Sequence, residues 1–291
     1  MNQFNIIGKT RLWFLFSGTL IVISLLTLLF NGMVRGKIMN FGIDFTGGTL
    51  LNLRFTQPVN VGQVREVLDG YKLAGAGVQK SGDNDVLIRC EPLETEIRQK
   101  IVDDLGQKLG GAELLEADTI GPVIGAELRT QAIWAILLAS AGILIYLSFR
   151  FEFIYAMAGV LALLHDAIIT TGFMALLYRN IDVTFVAGIL TILGYSINDT
   201  VVIFDRIREN LRKPGAGKKK FAELVNNSLW ETMARSINTV LTVIVMVLTL
   251  LIFGGENIRD FCLLLIIGFT FGCYSSIFIA SPIVVMLEKK K

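Results

Sequence analysis

The chain has 291 residues, 53% hydrophobic and 18% charged, with 27 Lys and Arg against 25 Asp and Glu. Soluble domains carry about 25% charged residues, so this composition, with a mean hydropathy of +0.61, excludes an ordinary soluble globule. It predicts a polytopic helical membrane protein. The net charge of +2 decides little, because orientation depends on where Lys and Arg fall.

Lys9 and Arg11 precede an apolar run over residues 12–30. The run is longer than the ~7–15-residue core of a signal peptide and no A-x-A site follows it, so residues 1–31 read as a tail and an uncleaved first span. Residues 32–129 are polar and mixed. Apolar runs resume over 130–148, 153–178, 183–204, 234–253 and 260–287, so residues 130–291 hold five more spans. The connection after the fourth span, a basic loop over 206–227, carries Arg206, Arg208, Arg212, Lys213, Lys218, Lys219 and Lys220. In a six-span arrangement these share a side with Lys9, Arg11 and the tail residues Lys289, Lys290 and Lys291. The two short loops opposite hold only Arg179 and Arg259. Both termini are therefore expected in the cytoplasm and segment 32–129 outside. The same basic loop would also suit an anionic-lipid or nucleic-acid surface.

The outside segment has its own pattern. Residues 48–55 alternate as a strand, and 61–73 have helical spacing. Residues 78–80 and 86–90 are short strands around a Ser-Gly-Asp-Asn turn, 94–109 form an amphipathic helix, and 112–117 a last strand. The order βαββαβ is ferredoxin-like, and about 90 residues can bury a modest core. The predicted class is an α-helical membrane protein of six spans with one ferredoxin-like α+β extracytoplasmic domain.

Candidate chemistry lies in the spans. Asp199, preceded by Asn198, sits inside the apolar part of span four, about six residues or ~9 Å from the polar boundary at Asp205. A carboxylate there costs roughly 2.5–3.5 kcal/mol on insertion scales, so it is expected to face a bundle interior or a wet cavity. Arg235 falls early in span five at a similar height, which predicts an Asp199–Arg235 ion pair; snorkelling to the interface is the alternative. Asn238, Thr239 and Thr242 continue the polar face of Arg235. Thr191 and Tyr195, with Ser196 beside them, extend the polar face of Asp199. Interhelical glue explains the hydroxyls, but an amide would serve as well as Asp199 for that purpose.

His165 and Asp166 form a second intramembrane pair, some 13 residues or ~20 Å up span three. Being consecutive they point about 100° apart and need not touch. Asp166 shares a small, polar face with Gly159, Ala162 and Thr170, whereas the lone His165 also suits a satisfied core position. Asp166 and Asp199 would make two stations of a proton path, with Tyr195, Thr191 or water between them. Gly268, Gly272 and Ser276 give span six a small-xxx-small face for close helix packing. Gly47-Gly48 reads as a tight turn into a strand rather than a phosphate nest. Cys90, Cys262 and Cys273 have no framework or metal spacing and read as ordinary buried cysteines. With no catalytic triad, metal cluster or nucleotide motif, neither an enzyme nor a cofactor is expected.

Three blocks carry a family resemblance: Gly42-Ile-Asp-Phe-Thr-Gly-Gly-Thr49, Gly121-Pro-Val-Ile-Gly-Ala-Glu-Leu128, and the stretch from Gly194-Tyr-Ser-Ile-Asn-Asp199 to Asp205-Arg-Ile-Arg-Glu-Asn210. They resemble the signature blocks of SecF, within the resistance-nodulation-division superfamily. Arg235-Ser-Ile-Asn-Thr239 is similar to the family's span-five block, with Val240 where a Ser is usual. The resemblance implies a subunit of a SecD–SecF complex in a bacterial cytoplasmic (inner) membrane. There it would assist Sec-dependent preprotein export after SecA and the SecYEG channel, driven by protons flowing inward. It also implies Asp199 and Arg235 as proton-pathway residues, facing a SecD carboxylate. A six-span half of a two-half transporter fits this picture. The competing readings are a small-molecule exporter half, for which the outside domain is small, and a non-transporting translocon scaffold.

Overall fold

The computed structural model describes residues 4–214 and 220–288, so Lys218, Lys219, Lys289, Lys290 and Lys291 lie outside the described residues. The chain divides into two compact units, residues 41–134 on one hand, and residues 1–40 with 135–291 on the other.

The smaller unit starts with a single helical turn, α2 (Ile43–Thr46), and continues as β1 (Gly48–Phe55), α3 (Val61–Asp69), β2 (Gly77–Lys80), β3 (Asp85–Cys90), α4 (Thr95–Leu109) and β4 (Ala112–Ile120). The strands form one antiparallel sheet in the order β2-β3-β1-β4, the arrangement expected of βαββαβ. Alternation on β1 sends Leu51, Leu53 and Phe55 inward, where they meet Val64 and Leu68 of α3, Ile101 and Leu105 of α4, and Val86 and Ile88 of β3. Each such side chain removed from water stabilises the fold by about 1.5–3 kcal/mol. Helix α3 opens on a capping box in which Asn60 Oδ1 accepts from Gly62 N at 2.9 Å and Gln63 Oε1 accepts from Asn60 N at 3.3 Å. It ends at Asp69, earlier than the predicted 73. Gly70 and a left-handed Lys72 turn the chain there, and Leu73 N bonds back to Leu68 O.

Gly47 and Gly48 have φ of +71° and +135°, and a Cβ on Gly48 would sit 2.5 Å from Cys90 O. The pair is therefore a turn that only glycine fits, leading into β1.

The larger unit contains α1 (Thr10–Arg35), the rest of α5 (Pro122–Arg150), α6 (Phe153–Leu176), α7 (Val183–Leu211), α8 (Phe221–Phe253), α9 (Glu256–Ser275) and α10 (Ser281–Glu288). Among the described residues, six helices are long and apolar enough to cross a membrane, over 7–35, 122–150, 153–176, 183–211, 221–253 and 258–288. The second begins at Pro122, well before the apolar run at 130, because proline is tolerated at the first helical position. Helix α7 is capped by Asp182, whose Oδ1 accepts from Phe185 N at 2.8 Å.

Burial sorts the spans. Between half and three-fifths of the apolar window is buried in α6, α7 and the sixth span, against 11% in the first, 6% in α5 and 17% in α8. The bundle is thus built on spans three, four and six. The sixth is not one uniform helix: Ser276–Ala280 form a π-helical turn between α9 and α10. Pro282 follows it, lacking an N–H and crowding the carbonyl four residues earlier, so the turn before it widens. Ser281 Oγ then donates to Ser276 O at 3.0 Å.

Candidate functional site

Asp166 of α6 is fully buried and Asp199 of α7 is 7% exposed, both inside the larger unit. Around Asp166 the polar groups close completely. Its Oδ2 accepts from Ser196 Oγ of α7 at 2.6 Å and from Ser275 Oγ of α9 at 2.8 Å, and its Oδ1 lies 3.0 Å from His165 Nδ1. His165 and Asp166 therefore do touch, contrary to the expectation from a 100° step. The ring's Nε2 lies 3.1 Å from Ser17 Oγ on α1, and the ring stacks on Tyr274 at 6.0 Å between centroids.

Asp199 is held differently. Ser236 Oγ of α8 donates to its Oδ1 at 2.5 Å, whereas its buried Oδ2 has no hydrogen-bond partner. Ser276, at the first position of the π-helical turn, approaches the same carboxyl group without closing a hydrogen bond to it. The predicted ion pair with Arg235 is not formed. Arg235 is exposed on the surface of α8, within electrostatic range of Asp199, and its neighbour Ser236 takes the inward position instead. The reason is register: Ser236, not Arg235, stands on the buried stripe of Thr232, Ser236 and Val240.

Asn198 is exposed, one helical step away from Asp199, and the structure does not bring it into the buried cluster. Tyr195 is half-buried, its hydroxyl donating to Thr239 O of α8 at 2.7 Å and its ring lying 4.7 Å from Phe269. Thr191 is exposed and bonds its own helix at Ala187 O. The space between the two carboxyl groups is thus lined not by Tyr195 and Thr191, as the stripe on α7 predicts, but by Ser196, Thr200 and Ser276. Thr200 Oγ1 lies 2.7 Å from Ser276 Oγ and donates to Ser196 O at 3.1 Å, and Ser276 Oγ reaches Ser196 O at 3.3 Å.

Close helix approach makes this possible. A Cβ on Gly268 would lie 2.1 Å from Ile192 Cδ1, and one on Gly272 would crowd Ser196 Cβ at 3.1 Å, so glycine at these places lets α9 come close to α7. Helix α1 mounts on α6 in the same way. Its buried residues are Ser17, Ser24 and Asn31. A Cβ on Gly172 would fall 2.1 Å from Ser24 Cβ, and Asn31 Nδ2 donates to Ala175 O at 3.0 Å. That seven-residue spacing of small polar residues in an apolar helix is a signal the sequence reading passed over.

Among the described residues no group of three or more His, Cys, Asp or Glu could hold a metal ion. Cys262 is buried and Cys90 and Cys273 are half-buried. Outside the spans, burial pushes the Cys90 thiol up to about 11, with Glu91 adding to the effect, so it is a poor nucleophile.

Comparison with known proteins gives the family. Residues 101–290 match the model of the protein export membrane protein SecD/SecF, C-terminal, and residues 39–59 match the SecD/SecF GG motif. The chain belongs to the SecF family of protein translocase subunits. A SecF subunit of Sebaldella termitidis is 43% identical over 289 residues, 97% of this chain and 92% of that relative. A SecF of Pseudomonas aeruginosa is 40% identical, covering 91% and 87%. Among solved structures, SecDF of Thermus thermophilus, described as a translocon-associated membrane protein, superposes with a TM-score of 0.90 at 35% identity over 99% of this chain. A SecDF in a super-membrane-facing form gives 0.71 at 36% identity over the whole chain. The chain spans 39% of the length of each of those SecDF chains. The matched GG motif includes the Gly47-Gly48 turn, and the SecD/SecF match includes Asp166, Asp199 and Arg235.

Proposed function

We propose that this SecF chain works with a SecD subunit in a bacterial cytoplasmic membrane, where inward proton flow through Asp199 assists Sec-dependent preprotein export. The observation that carries the reading is the Asp199 carboxyl group, buried in an apolar span with one oxygen bonded to Ser236 and the other, Oδ2, without a partner. An unpartnered buried carboxylate oxygen costs stability. A proton placed there removes the charge and changes which neighbours the group can bond. One charge crossing ~100 mV is worth about 2.3 kcal/mol, enough to bias such a rearrangement.

Arg235, Asn238, Thr239, Thr242 and Asn198 are exposed on α7 and α8. An exposed guanidinium in a spanning helix is costly against lipid, so a SecD carboxylate is its proposed cover and relay partner. Asp166, His165 and Tyr195 complete the proposed pathway through the serine hydroxyls around Ser196. Both termini are proposed to be cytoplasmic and residues 32–129 extracytoplasmic, with SecYEG and SecA as the upstream machinery and the outside domain meeting the emerging preprotein. The role is transport rather than catalysis of a covalent step.

Replacing Asp199 by Asn keeps the shape and removes the titratable proton. In a strain that depends on this copy, Asp199→Asn is expected to abolish the proton-gradient-dependent part of preprotein export while SecD still co-purifies. Export that stays as fast as with the native carboxylate across imposed gradients would refute proton coupling and favour a scaffold.

A further inference from the structure

His165 is the one histidine of the chain, and its hydrogen bonds leave little freedom about where its protons sit. The Tyr274 hydroxyl has a single hydrogen, which it donates to Trp13 O at 3.2 Å. Ser17 Oγ therefore donates its own hydrogen to Tyr274 Oη, also at 3.2 Å. What Ser17 offers to His165 Nε2, 3.1 Å away, is then a lone pair, an arrangement that assigns the N–H to Nε2. A neutral ring protonated at Nε2 has a bare lone pair at Nδ1, and that atom lies 3.0 Å from Asp166 Oδ1. Two acceptors do not bond. The Ser196 and Ser275 hydroxyls both donate to Oδ2, so neither supplies a hydrogen at Oδ1. The short Nδ1–Oδ1 approach requires one further proton between the two atoms.

We propose that His165 and Asp166 together form a second proton-holding site in the bundle. Ser17 and Tyr274 are its positioning residues, fixing the ring with Nε2–H toward α1. The proposal rests on the proton-driven reading above and gives the pair a distinct task in it. Loading takes one proton from the water that feeds the pathway and leaves two hydrogens on the pair, one at Nε2 and one held between Nδ1 and Oδ1. Unloading returns that proton to the water and leaves one hydrogen on the ring. In the unloaded pair that hydrogen belongs at Nδ1, facing the carboxylate. Nε2 then becomes an acceptor, and Ser17 must swing its hydroxyl from Tyr274 to His165. The loading state is thereby written on α1 as the direction of one hydroxyl, at the head of the Ser17, Ser24 and Asn31 stripe by which that helix sits on α6. Helix α7 presents Ser196 and, one turn on, Asp199 to this region. Helix α9 presents Cys273, Tyr274 and Ser275, and α1 presents Ser17. None of these is a cation, so no fixed positive charge competes with the proton.

The single histidine makes the test direct. The full chain, carrying a tag without histidine and labelled with 15N-histidine, is placed in lipid nanodiscs; every ring-nitrogen signal then comes from His165. The native ring is expected to be protonated at Nε2. Ser17→Ala removes the acceptor and lowers the ratio of Nε2-protonated to Nε2-bare rings about two- to tenfold, the effect of one typical hydrogen bond. Tyr274→Phe lowers it further, because the freed Ser17 hydroxyl donates into Nε2. Ser17→Thr restores the native spectrum. A native ring bare at Nε2 overturns the proposal without any variant, and so do Ser17→Ala and Tyr274→Phe spectra indistinguishable from native. The export measurement on Asp199→Asn decides proton coupling separately, so the two failures cannot be confused.

Discussion

The two compact units each bury apolar side chains but differ in the polar chemistry they bury beside them. Residues 41–134 close over Leu51, Leu53, Phe55, Val64, Val86, Ile88, Ile101 and Leu105, an aliphatic and aromatic interior with each side chain at most 1% exposed. The membrane unit buries Asp166, His165, Asp199, Ser17, Ser196, Thr200, Ser236, Ser275 and Ser276. It also buries an apolar cluster that includes Leu147, Ile203, Phe204, Ile207 and Leu229, while Leu15, Phe149, Phe153 and Phe253 stand on the surface. The solvent explains the difference. In water, apolar burial is the main drive for folding. In lipid no such drive acts between helices, so close backbone approach at glycine and hydrogen bonds between helices hold the bundle together. A polar interior is therefore the ordinary way to build this unit. What it does not require is a carboxylic acid, and the two acids are the proposed proton sites.

The comparison breaks most visibly at Phe55. Phe55→Ala should destabilise the outside unit by about 3–5 kcal/mol, the loss of a buried aromatic plus the cavity it leaves. Amide hydrogen exchange in the intact chain would show lost protection over β1, β3 and α4, with the spans unchanged. If protection in α6 and α7 fell by the same amount, the two units would be one cooperative body and the contrast between their interiors would lose its meaning.

Ser236 sharpens it. As glue, the Ser236–Asp199 bond is worth about 0.6 kcal/mol, the average for a hydrogen bond between membrane helices, so Ser236→Ala should hardly move the thermal unfolding of the solubilised chain. As part of a proton site, the same change strips Asp199 of the one hydrogen bond it accepts and should strongly impair gradient-dependent export. A variant that unfolds several degrees early while exporting normally would make Ser236 a packing residue.

Much of this was legible beforehand and some was not, for reasons that differ by residue. The six spans and the βαββαβ order follow from runs and periods of hydrophobicity, which tertiary contacts did not override. That Asp199 faces the bundle interior follows from one charge in an apolar run. Partners were harder. Depth counting put Arg235 level with Asp199, and that was sound, yet a helix turns 100° per residue, so the neighbour Ser236 faced inward and Arg235 did not. The same step placed Asn198 outside. The face of α7 that meets α9 runs through Ser196 and Thr200, and nothing in a single helix says which of two polar faces its neighbours will cover. Ser17 was missed because a serine in an apolar span is unremarkable alone. Only its seven-residue spacing with Ser24 and Asn31, matched by Gly172 on α6, marks a contact stripe. The π-helical turn precedes Pro282, a residue to which the hydrophobicity pattern of the span gives no weight.

The smallest expected effect belongs to the surface of the outside unit, where Arg54 Nε and Nη2 donate to both oxygens of Asp85 at 2.9 and 2.8 Å, across the paired positions of β1 and β3. The hydrogen bond from Arg54, together with its charge, holds the Asp85 carboxyl below its ordinary value of 3.8. A depressed carboxylate favours the folded form while it is ionised, so its contribution is complete above pH 3.8 and fades as the pH falls through the lower folded value. Arg54 is largely exposed and solvent screens the pair, so the loss should be modest and should shrink further in high salt. Asp85→Asn should therefore flatten the acid limb of the outside unit's stability, read as amide exchange in β1 and β3 between neutral pH and pH 3, by lowering its neutral-pH stability by the same modest amount. An acid limb identical to that of the native chain would mean the ion pair fixes the register of these strands without stabilising them. The outside unit would then owe its stability to the apolar core beneath.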